Sequence, residues 1–321
     1  MFAPSEAGRP DGPARGSAPG PSSPTHPTPP ILVTMTAPLP TVNAVEAALE
    51  PNRSGIVHPS PGGGDATPAP PGPRRMTKVP EVTAVFWITK VLTTGMGETT
   101  SDFLAHRFSP YIAVALGGAG LAGALALQFR ARRYVAWIYW LAVVTVSIFG
   151  TMAADFLHVV GGIPYVVSAA FFVVVLAAVF RAWHASEKTL SIHSILSPRR
   201  ELFYWAAVVA TFALGTATGD LTARTMHLGY LTSGILFAAL IAVPVVAYRW
   251  FRLNGILSFW WAYVLTRPLG ASFADWVGVS HARGGLAVGT GLVSLVLAGA
   301  IVVLVSYLAV SKCDVKDPSS R

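Results

Sequence analysis

The chain of 321 residues is 53% hydrophobic and only 12% charged, with a mean hydropathy of +0.55. Because soluble domains carry about 25% charged residues, this composition excludes an ordinary soluble domain and predicts that the lipid bilayer is the chain's main partner. The net charge of +8 does not indicate nucleic-acid binding, since the basic residues punctuate apolar runs instead of clustering on one face.

The N-terminal part differs from the rest of the chain. Residues 1–75 contain eighteen of the twenty-five prolines, together with many Gly, Ala, Ser and Thr residues. Such a segment buries too little apolar surface to offset the entropy lost on ordering, so we predict a disordered cytoplasmic extension. Met76 directly precedes the first apolar run, and it is an alternative start of the protein.

From Pro80 onward the apolar runs approach about twenty residues each, the length that crosses the ~30 Å hydrocarbon layer. The sequence therefore predicts an all-α membrane bundle of eight transmembrane helices. The predicted spans are 81–102, 110–129, 135–155, 163–182, 202–220, 229–249, 256–275 and 287–310. Residues 76–182 and 202–311 each hold four spans, residues 183–201 form a polar cytoplasmic linker, and residues 312–321 form a cytoplasmic tail.

A single pattern recurs at the start of each pair of spans. An aromatic residue is followed by Trp, then by Gly ten residues later and by Asp five residues after that. Three residue types at fixed offsets in four places indicate an internal repeat of two helices, and the four repeats are expected to run parallel. The four sets are Trp87, Gly97 and Asp102; Trp140, Gly150 and Asp155; Trp205, Gly215 and Asp220; and Trp260, Gly270 and Asp275.

The basic residues between the spans predict the orientation. Fifteen fall on the side of the chain ends, and only Arg107, Arg224 and Arg283 fall on the other side. The positive-inside rule then predicts that both termini are cytoplasmic in a plasma-membrane protein. The four Trp residues would anchor the inner membrane interface, and the four Asp residues would lie near the outer one.

The four Asp residues allow two readings. Each carboxylate could accept hydrogen bonds from the outer turn or cap a short following helix. Alternatively, parallel repeats around an axis bring Asp102, Asp155, Asp220 and Asp275 together as a ring that attracts a cation.

A polar stripe supports the second reading. In the first repeat Lys90, Thr94, Glu98 and Asp102 recur at every fourth residue and share one helix face. A Lys or Glu near the centre of a membrane helix costs roughly 2.5–3.5 kcal/mol, so this face must contact the bundle interior or water. We expect an ion pathway to which Arg267, in the fourth repeat, also contributes. The alternative is a Lys90–Glu98 ion pair that only locks the packing.

Four histidines near the Asp residues suggest a metal site, on weaker grounds than the Asp pattern itself. Because Asp and His side chains suit divalent metals such as Mn or Zn, His106, His158, His227 and His281 could bind a metal ion beside the Asp residues; the alternative is solvated loop histidines. No other cofactor is expected.

Gly97, Gly150, Gly215 and Gly270 are expected to permit close helix packing. The alternative is a helix break that exposes carbonyl groups, for which Pro268 makes the seventh helix the best candidate.

Three stretches resemble a bacterial family of integral membrane proteins, described as uncharacterized membrane-anchored proteins, built from a tandem two-helix repeat of unknown function. They are KVPEVTAVFWITKVLTTGMGETTSDFL, GTATGD and RPLGASFADW. The resemblance covers residues 77–311 and implies the same polytopic fold; the Pro-rich extension departs from it. It places Glu98, Asp102, Asp155, Asp220, Arg267 and Asp275 on matching motif positions.

Three functions follow as expectations. The first is a transporter or permeation pathway for a cation, either a proton or a metal ion, because the acidic residues of the predicted interior outnumber the basic ones. The second is a membrane scaffold or sensor whose polar stripe only holds the bundle together. The third is an intramembrane metal-dependent hydrolase, although no nucleophile motif supports it. Cys313 is the only cysteine, which excludes an intrachain disulfide framework.

Overall fold

The computed structural model describes residues 77–251 and 254–315. The predicted disordered extension lies outside these residues. The described part is all-helical, and it contains eight long helices where eight were predicted. They are α1 (Ala84–Arg107), α2 (Pro110–Arg130), α3 (Ala136–Val159), α4 (Tyr165–Glu187), α5 (Pro198–Asp220), α6 (Gly229–Phe251), α7 (Gly255–Gly278) and α8 (Thr290–Ser311).

Local sequence determines where several helices begin. The side chains of Thr83, Ser109, Ser197 and Asn254 accept hydrogen bonds from backbone N–H groups of the first helical turn, and these N-caps start α1, α2, α5 and α7. Proline follows directly at the first helical position of α2 and α5, where its missing N–H group is not needed.

The odd-numbered helices form the centre of the fold. Helix α1 packs against α3, α3 against α5, α5 against α7, and α7 returns to α1, so the four inner helices close a ring. Each even-numbered helix packs mainly on the inner helix of the following repeat: α2 on α3, α4 on α5, α6 on α7, and α8 on α1. The last repeat is thereby joined to the first.

The repeat glycines lie where neighbouring inner helices meet. A Cβ atom at each of them would collide with the side chain of one equivalent position in the next repeat, eight residues before its Asp. A close helix approach, rather than a helix break, accounts for these glycines, and α7 runs without interruption through Pro268. The four pairs are Gly97 with Ser147, Gly150 with Phe212, Gly215 with Arg267, and Gly270 with Thr94. The same two repeat positions meet at all four contacts, so the inner helices are related by the repeat and run parallel to one another.

The outer surface is apolar. The four even-numbered helices have mean hydropathies of 1.8 to 2.6 and are mostly exposed, as in Leu295 and Val310, which are 70% and 83% exposed. Among the described residues, six helices are long and apolar enough to cross a membrane: α2 to α6 and α8. The prediction of eight such spans is therefore met only in part. Helices α1 and α7 are not among the six; α1 carries Lys90 and Glu98, and α7 carries Arg267.

Two sequence expectations need correction. Trp140, Trp205 and Trp260 are 1%, 2% and 4% exposed, so these rings pack inside the protein and do not anchor a lipid interface; Trp87 is half-buried. The linker between α4 and α5 is also less polar than expected. Its Ile192 and Ile195 are buried in the core, and the linker packs against the end of the inner ring.

Candidate functional site

Arg267 of α7 lies at the centre of the four inner helices and is fully buried. Its Nη2 atom donates to Glu98 Oε2 of α1 at 2.6 Å and to Thr216 Oγ1 of α5 at 2.7 Å. Thr151 Oγ1 of α3 contacts the same Nη2 atom, whose two N–H groups are shared among the three acceptors. These three partners occupy the same place in their repeats, four residues before the Asp. One guanidinium group thus ties all four inner helices together.

A small cavity adjoins this network on the side of the Asp residues. The volume open to the centre of a water molecule is about 10 Å³, which is close to the ~10–15 Å³ that one water needs. Asp220 Oδ2 and Asp275 Oδ1 are buried there without a hydrogen-bond partner in the described part of the protein. The cavity is lined by Glu98, Thr216, Gly219, Asp220, Tyr230, Ala271, Ser272 and Asp275.

The four Asp residues are not equivalent in the structure. Asp220 and Asp275 line the cavity and are buried, whereas Asp102 and Asp155 are half-buried beside it. Asp102 follows Glu98 by four residues on α1, and Asp155 holds the equivalent position on α3. The cluster is therefore an acidic cavity of two Asp residues and Glu98, with two further carboxylates near it, rather than a symmetric ring of four.

The Asp side chains do not cap a following helix, although Asp220 contacts the outer turn, with 3.1 Å between its Oδ1 and Arg224 Nε. Helices α1, α3 and α7 continue past their Asp to Arg107, Val159 and Gly278. After Asp220 the chain forms a π-helical turn, Leu221–Thr225, instead of ending. The Asp side chains therefore lie on helical segments, where their burial requires another explanation than a cap.

The predicted Lys90–Glu98 ion pair is wrong. Glu98 pairs with Arg267, and Lys90 Nζ, buried at 1% residue exposure, has no hydrogen-bond partner among the described residues. The ammonium group instead lies 4.0 Å from the ring centroid of Phe212 and 4.3 Å from that of Tyr263. Lys90 is eight residues, about two helical turns, before Glu98 on α1, and cation–π contacts hold its side chain below the Arg267 network. Thr94, between the two levels, donates to backbone carbonyl groups of Val91 and Thr266.

Aromatic side chains fill the ring at the end opposite the cavity. Phe86, Tyr139, Tyr204 and Phe259, one from each repeat, are buried there, and the hydroxyl groups of Tyr139 and Tyr204 lie 2.6 Å apart. Trp260 Nε1 donates to the carbonyl of Leu190 in the α4–α5 linker at 3.0 Å. This end of the ring is therefore closed, whereas the cavity lies near the other end.

The four histidines of the weak metal prediction do not come together. His106, His158 and His281 each have Nδ1 within 2.6–2.8 Å of a backbone carbonyl oxygen, and His227 is exposed. Within residues 77–251 and 254–315, no group of three or more His, Cys, Asp or Glu side chains could hold a metal ion. The geometry therefore does not support a metal site at these histidines.

Two residues near the cavity were missed as site residues. Tyr230 lines it, and Arg224 lies beside it with Nε 3.1 Å from Asp220 Oδ1. The sequence held a signal for the first of them, because Tyr230 follows Asp220 by ten residues as Tyr165 follows Asp155. For Arg224 the sequence indicated only an outer-side loop.

These features define a helical repeat protein whose several apolar helices are typical of a membrane protein. A family model described as Repeat of Unknown Function (DUF347) matches residues 85–134, 138–189, 203–254 and 258–313. The four matches cover more than half of the 321 residues, and the chain belongs to this family. Each match begins one residue before the aromatic residue of the repeat pattern, which confirms the four tandem repeats. Neither the curated proteins nor the solved structures gave a match.

Proposed function

We propose that this protein is an integral membrane protein that takes up a small cation, a proton or a passing metal ion, in its acidic cavity and carries it across the membrane. No group of three or more His, Cys, Asp or Glu side chains among the described residues is arranged to hold a metal ion, so a resident metal centre is not part of the proposal. One observation carries the proposal: the cavity places Glu98, Asp220 and Asp275 around a space the size of one water molecule, with two carboxylate oxygens unpartnered. Buried carboxylates without partners are unstable unless they bind a cation or a proton. Ionisable groups inside a membrane protein commonly mark an ion or proton pathway.

All eight helices cross the plasma membrane in this proposal. Helices α1 and α7 each have 24 residues, which at about 1.5 Å per residue exceed the ~30 Å hydrocarbon layer. Their polar residues do not meet lipid, because the ring of inner helices and the apolar outer helices surround them. The basic end of the bundle faces the cytoplasm together with both termini, following the positive-inside rule.

The orientation can be tested with the single native cysteine. Cys313 is exposed at the end of α8, so a membrane-impermeant maleimide should label it only after the cells are permeabilised. In a Cys313→Ser background, a cysteine placed by Arg283→Cys should instead be labelled in intact cells. Labelling of Cys313 from outside intact cells would reverse the proposed topology.

The charges around the cavity favour a cation. Five carboxylates, those of Glu98, Asp102, Asp155, Asp220 and Asp275, outnumber the basic side chains Lys90, Arg224 and Arg267 that lie among or beside them. When these carboxylates are ionised, the excess of negative charge raises the local cation concentration. The Arg267 network and the aromatic end close the ring below the cavity, so passage requires the inner helices to move apart.

A second candidate is a membrane scaffold, and the Arg267 network favours it. A guanidinium group that ties four helices together is what a purely structural polar core requires. The two candidates differ in the role of the unpartnered carboxylates. A scaffold has no use for Asp220 Oδ2 and Asp275 Oδ1, whereas a cation pathway needs them.

Infrared difference spectroscopy of the full chain in lipid tests whether these carboxylates bind a cation. A step in pH or in the concentration of a metal cation should produce carboxyl bands, and Asp275→Asn should remove part of them. Glu187→Gln is the matched control, because Glu187 pairs with Arg200 at the basic end, far in sequence from the repeats' Asp residues. An unchanged spectrum in Asp275→Asn would refute cation binding at the cavity.

A further inference from the structure

Arg224 lies at the edge of the acidic cavity and connects it to the surface. Its Nε atom is 3.1 Å from Asp220 Oδ1, and its Nη1 donates to the hydroxyl group of Tyr165 at 2.9 Å. The side chain of Arg224 is 43% exposed, whereas that of Asp220 is 5% exposed. The guanidinium group therefore extends from a buried carboxylate to water.

Both the arginine at position 224 and the backbone conformation around it are found only in the third of the four described repeats. The corresponding positions, four residues after the Asp, are His106, Val159 and Val279 in the other repeats. In the third repeat the helix changes to the π-helical turn Leu221–Thr225, which is closed by Met226 N–H donating to the Leu221 carbonyl at 2.9 Å. Single π-helical turns of this kind are frequent at functional sites.

We propose that Arg224 is a tethered cation that closes the mouth of the acidic cavity until an incoming cation displaces it from Asp220. This inference rests on the proposed function. Arg224 holds only Oδ1 of Asp220, so Oδ2 and the unpartnered Oδ1 of Asp275 remain able to contact a second cation. Because the side chain of Arg224 already contacts water, the guanidinium group can leave Asp220 without having to cross the buried part of the protein.

If Arg224 competes with other cations for Asp220, removing its charge should make the cavity more accessible to them. When Arg224 is replaced by Gln, the carboxylate is no longer neutralised by its neighbour, and small cations should enter the cavity more readily. The expected gain is up to about fivefold, the factor that corresponds to a partly exposed ion pair. Small anions should gain much less, since the cavity remains acidic.

The reactivity of a cysteine inside the cavity measures this access. Ser272 lines the cavity and is 2% exposed, and Ser272→Cys is nearly isosteric. In the full chain with Cys313→Ser and Ser272→Cys, reaction rates are compared for Ag⁺, a cation small enough for a water-sized space, and for hydrogen peroxide, an uncharged oxidant close to water in size. Adding Arg224→Gln should raise the rate with Ag⁺ up to about fivefold and leave the rate with hydrogen peroxide nearly unchanged.

Arg107→Gln is the matched control, because it removes the same charge from an exposed residue on the same side of the protein. Equal effects of Arg224→Gln and Arg107→Gln, or no effect of either, would overturn the proposal. If Arg224→Gln does not fold, Tyr165→Phe provides a second test: it removes one hydrogen bond of Arg224 and should raise the rate with Ag⁺ by a smaller factor. An unchanged rate in Tyr165→Phe would then overturn it.

Different results would refute the role of Arg224 at the cavity and the proposed cation site. Loss of carboxyl bands in Asp275→Asn, together with cysteine reactivity that ignores Arg224, would remove only the gate. A rise in reactivity with Ag⁺ but not with hydrogen peroxide, together with infrared spectra that do not change in Asp275→Asn, would support the role of Arg224 at the cavity and refute the cation site.

Discussion

Arg267→Met is expected to destabilise the protein by ~3–5 kcal/mol, the usual effect of removing one partner of a buried ion pair. The change leaves the Glu98 carboxylate, with 5% side-chain exposure, without its partner at 2.6 Å. It also removes the hydrogen bonds to Thr151 and Thr216, so the inner helices lose their common contact. Thermal or denaturant unfolding in detergent, followed by Trp fluorescence, measures the effect.

The double variant Arg267→Met with Glu98→Gln tests the pairing itself. It removes both charges together, and replacement of a whole buried ion pair is often close to neutral, so most of the stability should return. Lys90→Met is the control, since Lys90 has no carboxylate partner in the structure. If Lys90→Met rescues Glu98→Gln and Arg267→Met does not, Glu98 pairs with Lys90 and the described network is wrong.

The repeat architecture was predictable because the signal is periodic. The offsets between the Trp, the Gly and the Asp recur four times in the sequence, and both the family match and the eight helices agree with them. Periodicity also placed Lys90, Thr94 and Glu98 on one buried face of α1. The sequence even held a sign of which helices are inside: the inner helices α3 and α5 have mean hydropathies of 1.7 and 1.4, below those of the outer helices.

Contacts between helices were not predictable in the same way. Lys90 and Glu98 lie on the same helix face with opposite charges, which suggested the pair from the sequence, although eight residues place them about 12 Å apart along the helix. Arg267 is 169 residues from Glu98, and only closure of the ring brings the two together. The Trp residues were misplaced for a related reason. An amphipathic ring near a helix end is typical of a lipid interface, but Trp140, Trp205 and Trp260 pack inside the protein.

The acidic cavity was predictable in its repeated positions but not in its contacts between helices. Its Asp residues were found from their spacing, whereas the differences among them depend on the surroundings of each repeat. Only Asp220 is followed by a π-helical turn with an arginine, and only Asp220 and Asp275 line the cavity with Glu98. A four-fold sequence repeat therefore predicts equivalent positions, and the substitutions at Arg267 and Arg224 make the site asymmetric.

Cation flux through the purified full chain in liposomes tests the central claim most directly. The assay compares protons with several monovalent and divalent metal cations, and it uses the wild type, Asp275→Asn and the control Glu187→Gln. Asp275→Asn keeps the size of the side chain but removes the charge, so flux should fall to the level of protein-free liposomes while the protein stays folded. Glu187→Gln should keep wild-type flux. Undiminished flux in folded Asp275→Asn, or wild-type protein that passes none of these cations, would contradict the proposed pathway and favour the scaffold.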